Sequence, residues 1–184
     1  MQWLIFLPQL PSSPSTMRVM VWRRMRDAGA LGLQNGVWLL PELPAQMESV
    51  NKLQQYLKKH QASSFLFPLK DMDTAMEEEV VSKLRAERDE EYAEFIERCD
   101  VLLEDLSHET ERGKFSYAEL EEAEVDLVKL DDWWEKCSAR DYVIGLRREE
   151  SQQKLDESRG AYEAFASQVY ARHGVHTSST ESNL

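Results

Sequence analysis

The chain of 184 residues is 42% apolar and 30% charged, with a formal net charge of -12, which suits one domain or two small ones with a core and excludes a fibrous or wholly disordered chain. No stretch approaches the roughly 20 apolar residues of a membrane-spanning helix, and the apolar run MQWLIFL has neither a basic lead nor a small-residue cleavage site, so a cytoplasmic protein with no membrane partner is expected. Charge is segregated: residues 1–70 hold eight Lys/Arg against three Asp/Glu and residues 71–184 fourteen against thirty-one, a basic module followed by an acidic one.

Gln2 to Leu7, QWLIFL, is an apolar run of strand length that Pro8 is expected to end. Ser13 with Pro14 reads as an N-cap and first helical position, and a helix follows to about Ala28, with Met17, Val21, Met25 and Ala28 on one face and Gly29 as its stop. The apolar runs around Asn35-Gly36 predict a hairpin with a type I′ turn, closed by Pro41 and Pro44. A second helix from about Pro44 to His60 buries Met47, Val50, Leu53 and Leu57, and SSFLFPL, 63–69, reads as a last strand. Strand, helix, hairpin, helix, strand with right-handed crossovers makes a ferredoxin-like, four-stranded antiparallel sheet with two helices on one face, assigned to residues 1–70.

From Asp73 the pattern is helical, so the fold class is α+β with an all-α antiparallel region of about three helices over 71–173 and a disordered tail at 174–184. Leu84, Tyr92, Phe95, Cys99, Leu102 and Leu106 keep a near-heptad spacing to about residue 110. Gly113 interrupts, and Ser116 with Glu119 forms a capping box that restarts the helix. Leu120, Ala123, Leu127, Leu130, Trp134 and Cys137 continue a heptad seam, and Leu155, Tyr162, Phe165 and Val169 stripe a third helix from about Leu146 to Arg172.

The most distinctive feature is four arginines in nine residues around a tryptophan, RVMVWRRMR. At 100° per residue Arg18, Arg23 and Arg26 fall away from the apolar face, whereas Arg24 falls on the side expected to be buried and should meet a carboxylate or carbonyl oxygens. Two readings stay open: an anion site for nucleic-acid phosphate or a small oxyanion, with Lys52, Lys58 and Lys59 as a secondary basic surface, or docking of the basic module on the chain's own acidic helices. Trp22 either stacks on Arg18 or Arg26 or fills a seam between modules. Trp134 lies on the seam and belongs to the core, so Trp133 faces the third helix or a partner and marks an interface. Cys99 and Cys137 read as reduced core cysteines, the acidic runs as solvated helix faces, and the His173–His176 pair as chance. No catalytic set, phosphate loop or zinc spacing is present, so no enzyme activity, metal or cofactor is expected.

QWLIFLPQLPSSPSTMRVMVWRRMRDAGALGLQNGVWLLP resembles the amino-terminal domain of the ChrB family of bacterial chromate-resistance regulators, above all in RVMVWRRMRDAGA followed by LQNGVWLLP. The similarity continues through KLRAERDEEYAEFIERC, RGKFSYAELEEAEVDL and SARDYV, and covers about residues 2–172. The hairpin region is also similar to PaaX-type repressors and to the small ferredoxin-like proteins of CRISPR adaptation. The latter hold a metal on an aspartate at the end of the first strand, where this chain has Leu7-Pro8-Gln9. The resemblance implies a regulatory protein linked to chromate or oxidative stress that acts on DNA and responds to a chromate-like oxyanion. The leading expectation is a non-enzymatic transcriptional regulator that forms a homodimer through its sheet edge or its helical arm. ChrB proteins commonly carry a further carboxy-terminal domain, which is not expected here. The alternative is a protein-interaction module with no nucleic-acid role.

Overall fold

The computed structural model describes residues 1–11 and 15–174. The expected cap at Ser13 and Pro14, the tail beyond Gly174, and His176 lie outside the described residues. Element order is β1 (Trp3–Gln9), α1 (Thr16–Asp27), β2 (Leu31–Gly32), β3 (Trp38–Pro41), α2 (Pro44–Lys59), β4 (Ser63–Leu69), α3 (Thr74–Glu111), α4 (Tyr117–Arg140) and α5 (Arg148–His173). The chain divides into two compact units, Met1–Glu87 with Ala139–Ile144, and Arg88–Ser138 with Gly145 onward.

The first unit is a four-stranded sheet in the order β2-β3-β1-β4, with every neighbouring pair antiparallel. This is the ferredoxin-like arrangement expected of βαββαβ. Alternation along each strand gives the sheet two faces. Leu4, Phe6, Trp38 and Leu40 meet Val21 and Met25 of α1 and Val50, Leu53 and Leu57 of α2. Trp3, Leu31 and Leu39 point the other way, onto Val80 and Leu84 of α3 and Val143. Each fully buried aliphatic side chain contributes about 1.5–3 kcal/mol of transfer energy, so both layers hold the unit together.

Prolines are placed where the ladder tolerates them. The Glu42 N–H donates to the Gln2 carbonyl at 2.8 Å, which continues the β1–β3 pairing of Leu4 with Leu40 and Phe6 with Trp38. Even-numbered residues of β1 therefore bond toward β3 and odd-numbered ones toward β4. Pro8 consequently lacks an N–H only on the β3 side, beyond the last β3 pair, and still lies opposite Ser64 of β4. Strand β1 thus runs to Gln9 instead of ending before Pro8.

The hairpin also differs from expectation. Instead of a two-residue type I′ turn, a short 3-10 turn spans Gln34–Gly36, closed by the Leu33 N–H to the Val37 carbonyl at 2.8 Å, with Gly36 at φ 77°. Helix α1 starts one residue after Ser15 and ends at Asp27, and Gly29 at φ 72° turns the chain into β2.

In the second unit, α4, α5 and the part of α3 beyond Glu87 pack around Phe95, Cys99, Leu102, Leu106, Leu120, Leu127, Leu130, Leu155, Phe165 and Val169. The heptad stripes supply most of this core. Gly113 at φ 63° closes the end of α3, and the Glu119 N–H donates to Ser116 Oγ at 3.3 Å, the capping interaction expected there. Helix α5 runs back along α4: Arg159 donates to Asp131 at 2.6 Å, and Arg172 reaches the Gly113 carbonyl. Trp134 is half-buried between Tyr92 and Phe95, with ring centroids 5.9 and 5.8 Å away.

Candidate anion-binding surface

Helix α1 buries Val21 and Met25 and turns its arginines to different surroundings. Arg18 and Arg23 are exposed and form no ion pair with any described residue. Arg26 is half-buried and donates from Nη1 to Glu87 Oε2 at 2.6 Å.

Arg24 corrects the expectation of burial. It is exposed, and its guanidinium lies over the Tyr56 ring of α2, 5.4 Å from the centroid. At about 60° from the centre of the apolar face it sits on the rim, where a long side chain carries its charge outward while its stem stays on apolar surface. Stacking on an aromatic face then replaces the carboxylate that burial would have demanded. Tyr56 is itself stacked on His60, with centroids 4.0 Å apart and planes 26° apart, and His60 Nδ1 lies 2.8 Å from the Tyr56 carbonyl. Arg24, Tyr56 and His60 thus form a column across α1 and the end of α2, the latter two unrecognised in the sequence because i,i+4 stacking on a helix has no composition signal.

Lys58 and Lys59 are exposed on the last turn of α2. Lys52 faces Glu48 at 2.5 Å, which holds that carboxyl below its usual range, so this lysine is partly neutralised. Trp22 is 54% exposed, and no described ring or cation stacks on it. Trp133 sits elsewhere, half-buried on α4, edge-on to Phe95 at 5.6 Å. It lines a groove of about 390 Å³ between α3 and α4 with Arg98, Val101, Leu102, Lys129 and Leu130.

The first unit as a whole holds eleven Lys/Arg against ten Asp/Glu, because α3 returns acids to it, whereas the second holds eleven against twenty-four. The near-neutral balance is spatial. Helices α1 and α2 cover one face of the sheet, and the start of α3, with Glu77, covers the other. Glu77 accepts from the Met1 ammonium at 2.7 Å and the Trp3 indole at 2.9 Å, which hold its carboxyl below the usual range. Asp89 accepts from the Arg147 N–H at 3.1 Å, and Glu91 from Arg88 Nη1 at 2.8 Å. The acidic runs therefore include structural members as well as solvated ones.

Around Gly29 three distant segments meet. The Tyr142 hydroxyl donates to the Gly29 carbonyl at 2.7 Å, Arg85 Nε donates to the Val143 carbonyl at 3.1 Å, and a Cβ on Gly29 would lie 2.7 Å from the Arg140 carbonyl oxygen. These segments are DAGA, KLRAE and ARDYV.

A family model for the amino-terminal part of protein ChrB matches residues 18–176, from α1 through α5. The chain belongs to the ChrB amino-terminal family. Protein ChrB of Cupriavidus metallidurans is 27% identical over 139 residues, 75% of this chain and 42% of the relative, so the chain spans less than half of that protein's length. The ChrB match includes all four arginines of α1 and each segment that meets at Gly29. Neither cysteine forms a disulfide, both are buried, and burial pushes the Cys99 thiol up to about 11. Among the described residues no cluster of His, Cys, Asp or Glu is suited to a metal, and no helix is long and apolar enough to cross a membrane.

Proposed function

We propose that the chain acts as the anion-reading part of a non-enzymatic, cytoplasmic regulator of chromate resistance, with Arg18, Arg23 and Arg24 presented to DNA phosphate and Lys58 and Lys59 extending the same surface. The observation that carries this reading is the set of exposed guanidinium groups on α1 that lack a carboxylate among the described residues, in a family member of net charge -12. Guanidinium forks match phosphate oxygens, and a basic face that stays uncovered concentrates a polyanion even on an acidic protein. Trp22 adds an apolar body beside the phosphate contacts. A chromate-like oxyanion would compete for the same guanidinium groups, and this competition supplies the response.

Among the described residues, docking of the α1 arginines within the chain is supported for Arg26 alone, through Glu87. Titration of labelled duplex DNA against salt is the test. Each lysine or arginine that neutralises a phosphate contributes about one to the slope of log affinity against log salt. Replacing Arg18 and Arg23 together by Ala should reduce that slope by about two. Absence of binding at low salt, or an unchanged slope in the double variant, sinks the DNA reading.

A further inference from the structure

The free edge of the sheet has no role in that reading. Strand β4 is outermost, and its seven residues, SSFLFPL, carry no charge. Edge strands are normally guarded by charge, bulges or brevity, and on β4 Pro68 is the one such guard. The opposite edge, β2, is two residues long and needs none.

The register shows which groups face outward. Because odd-numbered residues of β1 bond toward β4, Phe65, Phe67 and Leu69, opposite Leu7, Ile5 and Trp3, bond inward. The N–H and C=O groups of Ser64 and Leu66 therefore point to the free edge. On the sheet face away from α1 and α2, Phe65 and Phe67 are 45% and 51% exposed, their rings stacked at 6.0 Å and 12°.

We propose that this edge joins two copies of the chain, with β4 pairing antiparallel to the partner's β4 about a two-fold axis at Phe65. Ser64 then pairs with the partner's Leu66, and Leu66 with the partner's Ser64, forming about four main-chain hydrogen bonds. Pro68 falls beyond this paired stretch and opposes sliding into a longer register. Phe65 meets the partner's Phe65 in a non-hydrogen-bonded pair, the closest cross-strand position, with Phe67 on the diagonal.

Four observations select a second copy as the occupant. The outward N–H and C=O groups of Ser64 and Leu66, left to water on a lone copy, are arrayed as one side of a strand ladder, which another strand matches in register. The pairing of β4 with itself closes after two copies, whereas head-to-tail pairing would have to use the two-residue β2. The first unit's eleven cations and ten acids let two copies meet there, whereas the second unit's eleven against twenty-four resist self-association through the helical arm. Residues 175–184, VHTSSTESNL, have no Phe, Tyr or Trp to pair with Phe65 and Phe67. The result is one eight-stranded sheet with α1 and α2 of both copies on a single face. Since α2 packs on β4, Lys58 and Lys59 of both copies would lie on the side of that face nearer the axis.

The experiment uses the full chain and does not depend on DNA binding. Sedimentation at micromolar concentration should give a dimer. Phe65→Cys should form a disulfide-linked dimer in air in several-fold higher yield than Phe67→Cys, because Cα atoms in such a pair are about 4.5 Å apart, within disulfide range. The native Cys99 and Cys137 are buried and do not compete. Phe65→Glu should sediment as a monomer with unchanged circular dichroism. Ser64→Pro, which removes an outward N–H and leaves the inward ladder intact, should weaken the dimer in the same way if Phe65→Glu fails to fold. A monomeric wild-type chain, equal cross-linking of the two cysteine variants, or a dimer indifferent to Ser64→Pro would overturn the assignment.

Discussion

The two units reach stability by different routes. In the first, both faces of a four-stranded sheet are covered by segments far apart in sequence, down to Tyr142 reaching Gly29 across 113 positions. In the second, heptad stripes on three sequential helices meet through short turns. Damage to the first unit should therefore travel through a few long-range contacts. Damage to the second should depend on the volume lost from a continuous core.

The largest expected effect is in the helical unit. Phe165→Ala removes a buried ring that packs against Phe115 at 5.6 Å, and should cost about 3–5 kcal/mol in urea denaturation. Gly29→Val tests the first unit. The left-handed backbone and the Arg140 carbonyl 2.7 Å from the new Cβ should together cost about 2–4 kcal/mol. Tyr142→Phe, which removes only the hydroxyl, should cost about 1 kcal/mol, separating the hydrogen bond from the packing. Arg26→Ala should cost less than about 1 kcal/mol, because the pair with Glu87 is partly exposed. It should also change the salt slope of DNA binding less than Arg18→Ala does.

The smallest effect concerns pH. Glu77 has its carboxyl held below the usual range first by the Met1 ammonium and then by the Trp3 indole. A lowered folded value means that its stabilisation is present above the unfolded carboxylate value and fades as pH falls through the folded one. Glu77→Gln should flatten the acid limb of a stability–pH curve while leaving it nearly unchanged above neutrality.

Much of the fold was legible because its signals are local. The sequence SSFLFPL maps onto β4 as Ser63–Leu69, and the Ser116–Glu119 cap opens α4. Pro8 was misleading because a proline excludes a strand only when its nitrogen faces a ladder partner. That depends on the strand order, which the residues around Pro8 do not encode. Asn35-Gly36 announced a reversal but not its length, since the 3-10 turn is set by the closure of Leu33 on Val37.

The candidate site was legible in part. Arginine clustering was visible, and helical periodicity placed Arg18 and Arg23 outward. The fate of Arg24 depended on what α2 offered beside it, and Tyr56 offered a ring face 5.4 Å away. Trp133 and Trp134 both pack half-buried against the core of the second unit, and the groove beside Trp133 exists only because α3 and α4 lie side by side.

The sequence by itself determined the kind and order of the helices and strands, which residues are apolar enough to be buried, and that the four arginines crowd one helix. Those properties follow from side-chain chemistry at short spacing. Only the tertiary structure decided that Arg26 meets Glu87 while Arg18 and Arg23 meet no carboxylate among the described residues, that α3 returns acids to the first unit, and that β4 is left with an uncharged open edge. Each of these depends on which distant segments become neighbours. Partner charge and hydrogen-bond satisfaction are set by such neighbours rather than by the residue alone.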